Sequence, residues 1–277
     1  MIPIFMYHQV AEVSKELDPL GLAVPPDQFE QQMSYLARHT YHCLTLAEAL
    51  SYLRDGKRSL SKSFVITFDD GYQDLHSTGC PILEKYGFTA TIFLVASRMG
   101  ALANWVGQEN RPSGLLLSWA EARDLATRGH ILGSHTLSHP RLSPLDESAA
   151  RNEIYGSRDL LQERLEMPVD YFAYPYSDSS ARIEQMVESA GYAAACAGVI
   201  GRWSLFHLWR TPCLRTDTLQ SFALKACGWT QREIALRESL PGRFLRSSVH
   251  TLRRWSRIHQ RSQHLADRPT LAKQRRS

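Results

Sequence analysis

The sequence predicts an α/β fold, a closed but imperfect parallel barrel, on three observations. Short apolar runs alternate with helical patterns along the first 228 residues. Successive runs are separated by stretches that read as helices, and strands joined by helical crossovers pair in parallel. The residues with chemical potential fall directly after apolar runs, and in a barrel the carboxyl ends of the strands gather at one mouth.

Eight runs read as strands: Ile2–Tyr7, Tyr41–Leu44, Ser63–Thr67, Thr89–Val95, His130–Ser134, Asp170–Tyr174, Tyr192–Ala197 and Leu205–Arg210. Phe29, Met33 and Leu36 mark one face of a helix after Pro25-Pro26. Thr45 with Glu48, and Ser118 with Glu121, fit the capping box, in which hydroxyl and carboxylate satisfy free amides at a helix start. Gly56, Gly87, Gly129 and Gly191 fall where helices should stop. The stretch Ser97–Leu117, rich in Gly and Asn, reads as a long loop at the substrate mouth.

With 277 residues, 43% of them hydrophobic and 22% charged, the chain has the composition of a globular protein with one sizeable core. Cys43, Cys80, Cys196, Cys213 and Cys227 form no C-x-x-C pair and read as reduced, mostly buried thiols. The first residues, Met1 to His8, show no signal peptide, and no run is long enough to span a bilayer. The expected compartment is therefore the cytoplasm. Charge is uneven: Trp229 to Ser277 holds 12 Lys+Arg against 3 Asp+Glu, leaving 20 against 25 in the first 228 residues. The organisation expected is a domain over residues 1–228 and a basic helical extension over 229–277, its end from Arg268 without fixed structure. In that extension Leu245, Val249, Leu252, Trp255 and Ile258 recur at helical spacing among arginines. Such a helix either lies on an anionic membrane surface or packs on the barrel. The acidic body argues against nucleic acid as a partner.

Three segments carry the chemistry. In Thr67-Phe68-Asp69-Asp70-Gly71 the two carboxylates at a strand end point in different directions, so one can bind a metal while the other accepts a proton. Alone, this reads equally well as a helix cap with a solvated neighbour. His135 and His139 follow a strand and are four apart, the spacing that puts both on one face of a helical turn, close enough to share a metal. Phe172-Ala173-Tyr174-Pro175-Tyr176-Ser177 is an aromatic–proline–aromatic turn of the kind that fixes a backbone amide, as an oxyanion hole requires.

Taken in this order, T-F-D-D-G, S-H-x-x-x-H-P and F-A-Y-P-Y resemble the polysaccharide deacetylases of the NodB-homology group, carbohydrate esterase family four. The resemblance spans about Ile2 to Gly228. Met6-Tyr7-His8 and the helix Phe29–Leu36 are similar to the circularly shifted subgroup acting on poly-N-acetylglucosamine and related exopolysaccharides. The resemblance implies a distorted (β/α)7-type barrel. It implies one divalent metal, Zn²⁺ with Co²⁺, Ni²⁺ or Fe²⁺ as alternatives, held by Asp70, His135 and His139. It further implies Asp69 as general base and the Tyr176 N–H in the oxyanion hole.

The sequence departs from the family at three places. Ala173 stands where an arginine usually steadies the base, and Arg210, after the last strand, is the candidate replacement. In many members a late L-x-H segment supplies the acid; in the shifted subgroup the early histidine does so, which gives that role to His8, with His207, in Leu205-Phe206-His207, as the next candidate. Ser177 stands where glycine is usual. The function so implied is metal-dependent N-deacetylation of N-acetylglucosamine-type residues in an exopolysaccharide or its lipid-linked precursor. The alternatives are a glycan-binding pseudoenzyme of the same fold and a deacetylase of chitin oligosaccharide or peptidoglycan. A haloacid-dehalogenase-type phosphohydrolase would need a second aspartate two positions after Asp69, where Gly71 stands.

Overall fold

The structure is a computed structural model that describes residues 2–54, 62–103, 105, 114–198 and 204–228. All of them belong to the first of two units of the chain, Met1–Gln231. The second unit, with the expected basic helix, lies outside the described residues, as does Gly56.

The core of the fold is a ring of parallel strands. They are β1 (Ile4–Tyr7), β2 (Ser63–Phe68), β3 (Thr91–Leu94), β4 (Ile131–Ser134), β5 (Tyr171–Ala173), β6 (Ala194–Ala197), β7 (Leu208–Trp209) and β8 (Thr211–Pro212). Each pairs in parallel with the next from β1 to β7. The ring closes through β7 and β8, a single run interrupted only at Arg210. Leu208 and Trp209 pair with Cys196 and Ala197 of β6, while Thr211 and Pro212 pair with Phe5 and Met6 of β1. Counted as staves the ring has seven, the expected (β/α)7 arrangement. The last predicted strand, Leu205–Arg210, thus ran too early: residues 204–207 form a tight turn, and the stave continues to Pro212.

Alternation of side chains sorts the strands into two cores. Phe5, Tyr7, Phe64, Ile66, Phe68, Ile92, Leu94 and Phe172 point outward and pack against the helices. Ile4, Val65, Phe93, Tyr171, Ala173, Ala194, Cys196 and Leu208 form the second cluster, the barrel interior. Strand β2, buried on both faces, is accordingly a continuous apolar and β-branched run.

Helices cover the ring: α1 (Pro26–Arg38), α2 (Leu46–Arg54), α3 (Cys80–Lys85), α4 (Trp119–Thr127), α5 (Glu147–Leu165), α6 (Ala181–Ser189) and α7 (Leu219–Ala226). Leu46, Ala49 and Leu50 of α2 join the interior cluster and plug the barrel. Both capping boxes form, Thr45 with Glu48 and Ser118 with Glu121. Gly87, Gly129 and Gly191 take left-handed backbone just past α3, α4 and α6. Two short parallel strands, Gln9–Val10 and Ala23–Val24, were not anticipated. No described helix is long and apolar enough to cross a membrane.

Candidate active site

The mouth collects the ends of β1, β2, β4 and β5, and with them the residues singled out above. Strand β2 ends at Phe68, and inward parity continues from Val65 through Thr67 to Asp69. Asp70 then takes left-handed backbone, with φ 70°. Gly71 follows with φ 72°, and a Cβ there would stand 2.7 Å from Leu94 Cδ2, so only glycine permits this turn.

Asp69 is engaged at both oxygens. Arg210 Nη1 donates to its Oδ1 at 2.5 Å and Nη2 to its Oδ2 at 2.7 Å. Parity along β7 sends Leu208 and Arg210 to the same inward face, where the small side chains Ala173, Ala194 and Cys196 leave room. Arg210 is fully buried, bonds Thr67 Oγ1 at 3.2 Å and the Ala197 carbonyl at 3.3 Å, and lies over the Phe93 ring. Arg210, the candidate replacement for the arginine absent at position 173, thus reaches Asp69 from the closing stave. Burial alone would raise the Asp69 pKa, but Arg210, with His135 and His8, holds it below the ordinary carboxylate value.

Asp70, His135 and His139 are buried and bring three ligand atoms within 4.8 Å of one another, the one such group among the described residues. Asp70 Oδ1 stands 3.1 Å from His139 Nε2 and 3.5 Å from His135 Nε2, yet this buried oxygen receives no aligned hydrogen bond. One carboxylate and two imidazoles converging on a point with an orphaned oxygen fit a divalent ion of the Zn²⁺ class. His135 Nδ1 lies 2.8 Å from the Ala173 carbonyl, a contact that fixes the tautomer and turns Nε2 toward Asp70. Desolvation pushes the His135 pKa down to about 4, so at neutral pH the ring is uncharged, with its proton on Nδ1 and Nε2 free to bind a metal. Against the desolvation that opposes it, His139, His8 and His135 draw the Asp70 pKa far down.

The histidine pair departs from expectation in one respect. Residues 135–139 do not form a helical turn. Thr136 and His139 are left-handed, with φ 69° and 68°, and bracket an irregular turn. Of the eight non-glycine residues with positive φ among the described residues, five belong to this mouth: Asp70, Thr136, His139, Tyr176 and Ser177. Each costs about 1–3 kcal/mol, and such strain persists only where surroundings over-determine it.

Pro175–Ser177 forms a tight turn kinked into left-handed backbone, in which Tyr176 has φ 57° and Ser177 φ 54°. Ser177 therefore adopts the conformation for which glycine is usual. Among the described residues no acceptor takes the Tyr176 N–H. The Tyr176 ring meets His139 edge-on at 4.7 Å and carries Arg141 on its face at 4.4 Å. Trp105, from the predicted mouth loop, stacks on His139 at 4.6 Å. Residue 104 and residues 106–113 of that loop lie outside the described residues.

His8 follows β1 and is among the neighbours that lower the Asp69 and Asp70 pKa values; its Nδ1 is buried without a hydrogen-bond partner among the described residues. His207 is engaged elsewhere: its Nδ1 contacts Glu184 at 2.8 Å and Ser179 at 3.1 Å, bracing the segment after Tyr176. Trp105, Arg141 and Glu153, described below, escaped the sequence reading. An aromatic in a Gly-rich loop was the one available signal for Trp105.

A parallel α/β barrel with carboxylate and imidazole donors gathered at its strand ends defines the class of this protein. Comparison with known proteins gives the family. Residues 56–195 match the polysaccharide deacetylase family, and the chain belongs to it. It is 30% identical over 172 residues to the poly-beta-1,6-N-acetyl-D-glucosamine N-deacetylase of Staphylococcus aureus, covering 59% of this chain and 56% of that one. It is 29% identical over 191 residues to Bacillus subtilis YxkH, which bears a polysaccharide deacetylase name, covering 69% and 62%. The chain thus spans about three-fifths of the length of the curated relatives it matches. Among solved structures, the deacetylase PplD of Streptococcus pyogenes, in complex with acetate, superposes with a TM-score of 0.70 at 24% identity, over 81% of this chain and 97% of that one. IcaB from Ammonifex degensii does so at 0.69 and 22%, over 82% and 97%. These likenesses establish the barrel.

Proposed function

We propose that this protein is a divalent-metal N-deacetylase that hydrolyses the acetamido group of N-acetylglucosamine-type residues in an exopolysaccharide or its lipid-linked precursor. The observation that carries the reading is the convergence of Asp70, His135 and His139 beside an Asp69 held ionised by Arg210. Asp70, His135 and His139 would hold a divalent ion, Zn²⁺ foremost, which would supply Lewis acidity and lower the pKa of a water. Asp69 takes the proton of the attacking water. The Tyr176 N–H donates to the oxygen on which negative charge develops. His8 protonates the departing nitrogen, without which an amine is a poor leaving group. Water and amide become acetate and a free amino sugar. The exposed Tyr176 face and Trp105 offer aromatic surface for the sugar rings.

The substrate class follows the Staphylococcus aureus relative, a poly-beta-1,6-N-acetyl-D-glucosamine N-deacetylase. The test is acetate release and mass change across N-acetylglucosamine oligomers, with and without chelator. Release that needs a divalent metal, and is lost in Asp69→Asn while metal is retained, is the expected result. Full-rate release by stripped protein refutes it.

The reading extends to place. All five cysteines are free thiols, which suits a reducing compartment, and we assign the protein to the cytoplasm. The Arg-rich segment 243–261 would dock it on the inner, anionic leaflet, near a lipid-linked glycan. Co-sedimentation of the full chain with anionic but not neutral vesicles at low salt is expected. Equal behaviour with both, or a bound fraction unchanged by Arg253→Glu with Arg254→Glu, removes the docking idea.

A further inference from the structure

The turn that carries both histidines has no helix to hold it. Its backbone groups are instead tied from two sides. On one side β3 supplies an acceptor and the turn after it supplies donors. Leu94 O accepts from His135 N at 2.8 Å, Thr136 O receives Ala96 N at 3.1 Å, and Leu137 O receives Ser97 N at 2.9 Å and Ser97 Oγ at 2.6 Å. Thr136 Oγ1 accepts from His139 N at 2.9 Å. Two amides in the middle of the turn remain, and both go to one side chain. Leu137 N and Ser138 N donate to Glu153 Oε2 at 2.9 and 2.8 Å, and Ser138 Oγ donates to Glu153 Oε1 at 2.6 Å. Glu153 stands on α5 beside Ile154, whose stripe with Ala150, Ser157, Leu161 and Leu165 is packed into the core, so its backbone is fixed.

We propose that Glu153 is a positioning residue for the metal centre: its carboxylate clamps the 137–138 amides and thereby holds the left-handed Thr136 and His139 that aim His135 and His139 at Asp70. The inference rests on the metal reading above. A turn with strained residues at both ends relaxes when the bonds between them are removed. The rings would then lose their common focus while the barrel, built on other contacts, remains. Chemistry separates the clamp from a mere surface charge. Glutamine keeps one oxygen for the two amides and can turn the third bond round, its amide donating to Ser138 Oγ. Aspartate keeps the charge but is one carbon too short to reach from α5.

The test is titration of the full chain with cobalt(II), read by its visible ligand-field absorption and by chelator competition, for the parent and for Glu153→Gln, Glu153→Asp and Glu153→Ala. Circular dichroism and melting of the metal-free proteins report the fold. The expected result is near-parental affinity for the glutamine variant and a loss of about 10–100-fold for aspartate and alanine, as for other groups that orient metal ligands. Parental affinity in the aspartate or alanine variant overturns the clamp, as does a glutamine variant that falls as far as alanine. If alanine fails to fold, the contrast of glutamine with aspartate decides. A parent that takes up no cobalt overturns the metal reading itself, and the clamp with it.

Discussion

Arg210 and Asp69 form a two-point ion pair in the barrel interior, and Arg210 sits at the break between the two halves of the closing stave. The same side chain therefore completes the site and stands at the seam of the fold.

Truncating Arg210 should cost stability as well as activity. Arg210→Ala leaves a buried carboxylate without its partner, an effect of about 3–5 kcal/mol. Arg210→Lys should recover only part, since a point charge cannot serve both oxygens in one plane. Urea unfolding of the three proteins measures this; equal midpoints for parent and alanine would show that the pair contributes nothing to the fold.

The histidines should separate by role. His135→Ala and His139→Ala are expected to abolish stoichiometric binding of divalent metal while circular dichroism stays that of the parent. Metal content by elemental analysis decides the point. Retention of one ion per chain in either variant would mean that the donor set is wrongly drawn.

His8→Ala should keep its metal and lose turnover by about 10²–10⁴-fold, the usual contribution of a general acid. Single-turnover acetate release is the measurement. A near-parental rate would take the acid role from His8.

Asp74 offers a pH signature away from the site. Burial pushes its pKa up to about 6, against hydrogen bonds from the Val10 N–H and the Gln9 side chain that lower it. A carboxyl with a raised folded pKa holds a proton the unfolded chain releases. Its contribution is therefore most favourable below about pH 4 and declines as pH rises to about 6. Asp74→Asn keeps an oxygen for Val10 and removes the charge. The variant should match the parent near pH 4 and exceed it by roughly 1–3 kcal/mol above pH 6. A difference that is flat with pH contradicts this.

Much of the barrel was legible because five of its strands run four to six residues and chemical residues follow at once on β1, β2 and β4. Asp69, Asp70, His135 and His139 were found in this way, and Arg210 by the need to replace a missing charge. What escaped has physical reasons. Gln9–Val10 and Ala23–Val24 are two residues each, too short to show a period. The histidine spacing suggested a helix because i, i+4 geometry is the common way to pair two rings; here tertiary bonds impose left-handed backbone on Thr136 and His139 instead. Glu153 reads as an ordinary surface charge beside a core stripe, since its partners are two backbone amides and a hydroxyl fifteen and sixteen residues away.

The closing pair also bears on how the molecule comes into being. Asp69 and Arg210 are 141 positions apart. A chain made from its amino terminus presents the first five staves and the Asp69 carboxylate long before the partner is synthesised. Until Arg210 arrives the seam between β6 and β1 stays open and the carboxylate keeps its water. Closure then joins seam and charge in one late event, so a nascent chain halted short of β7 can neither dry its interior nor assemble the site.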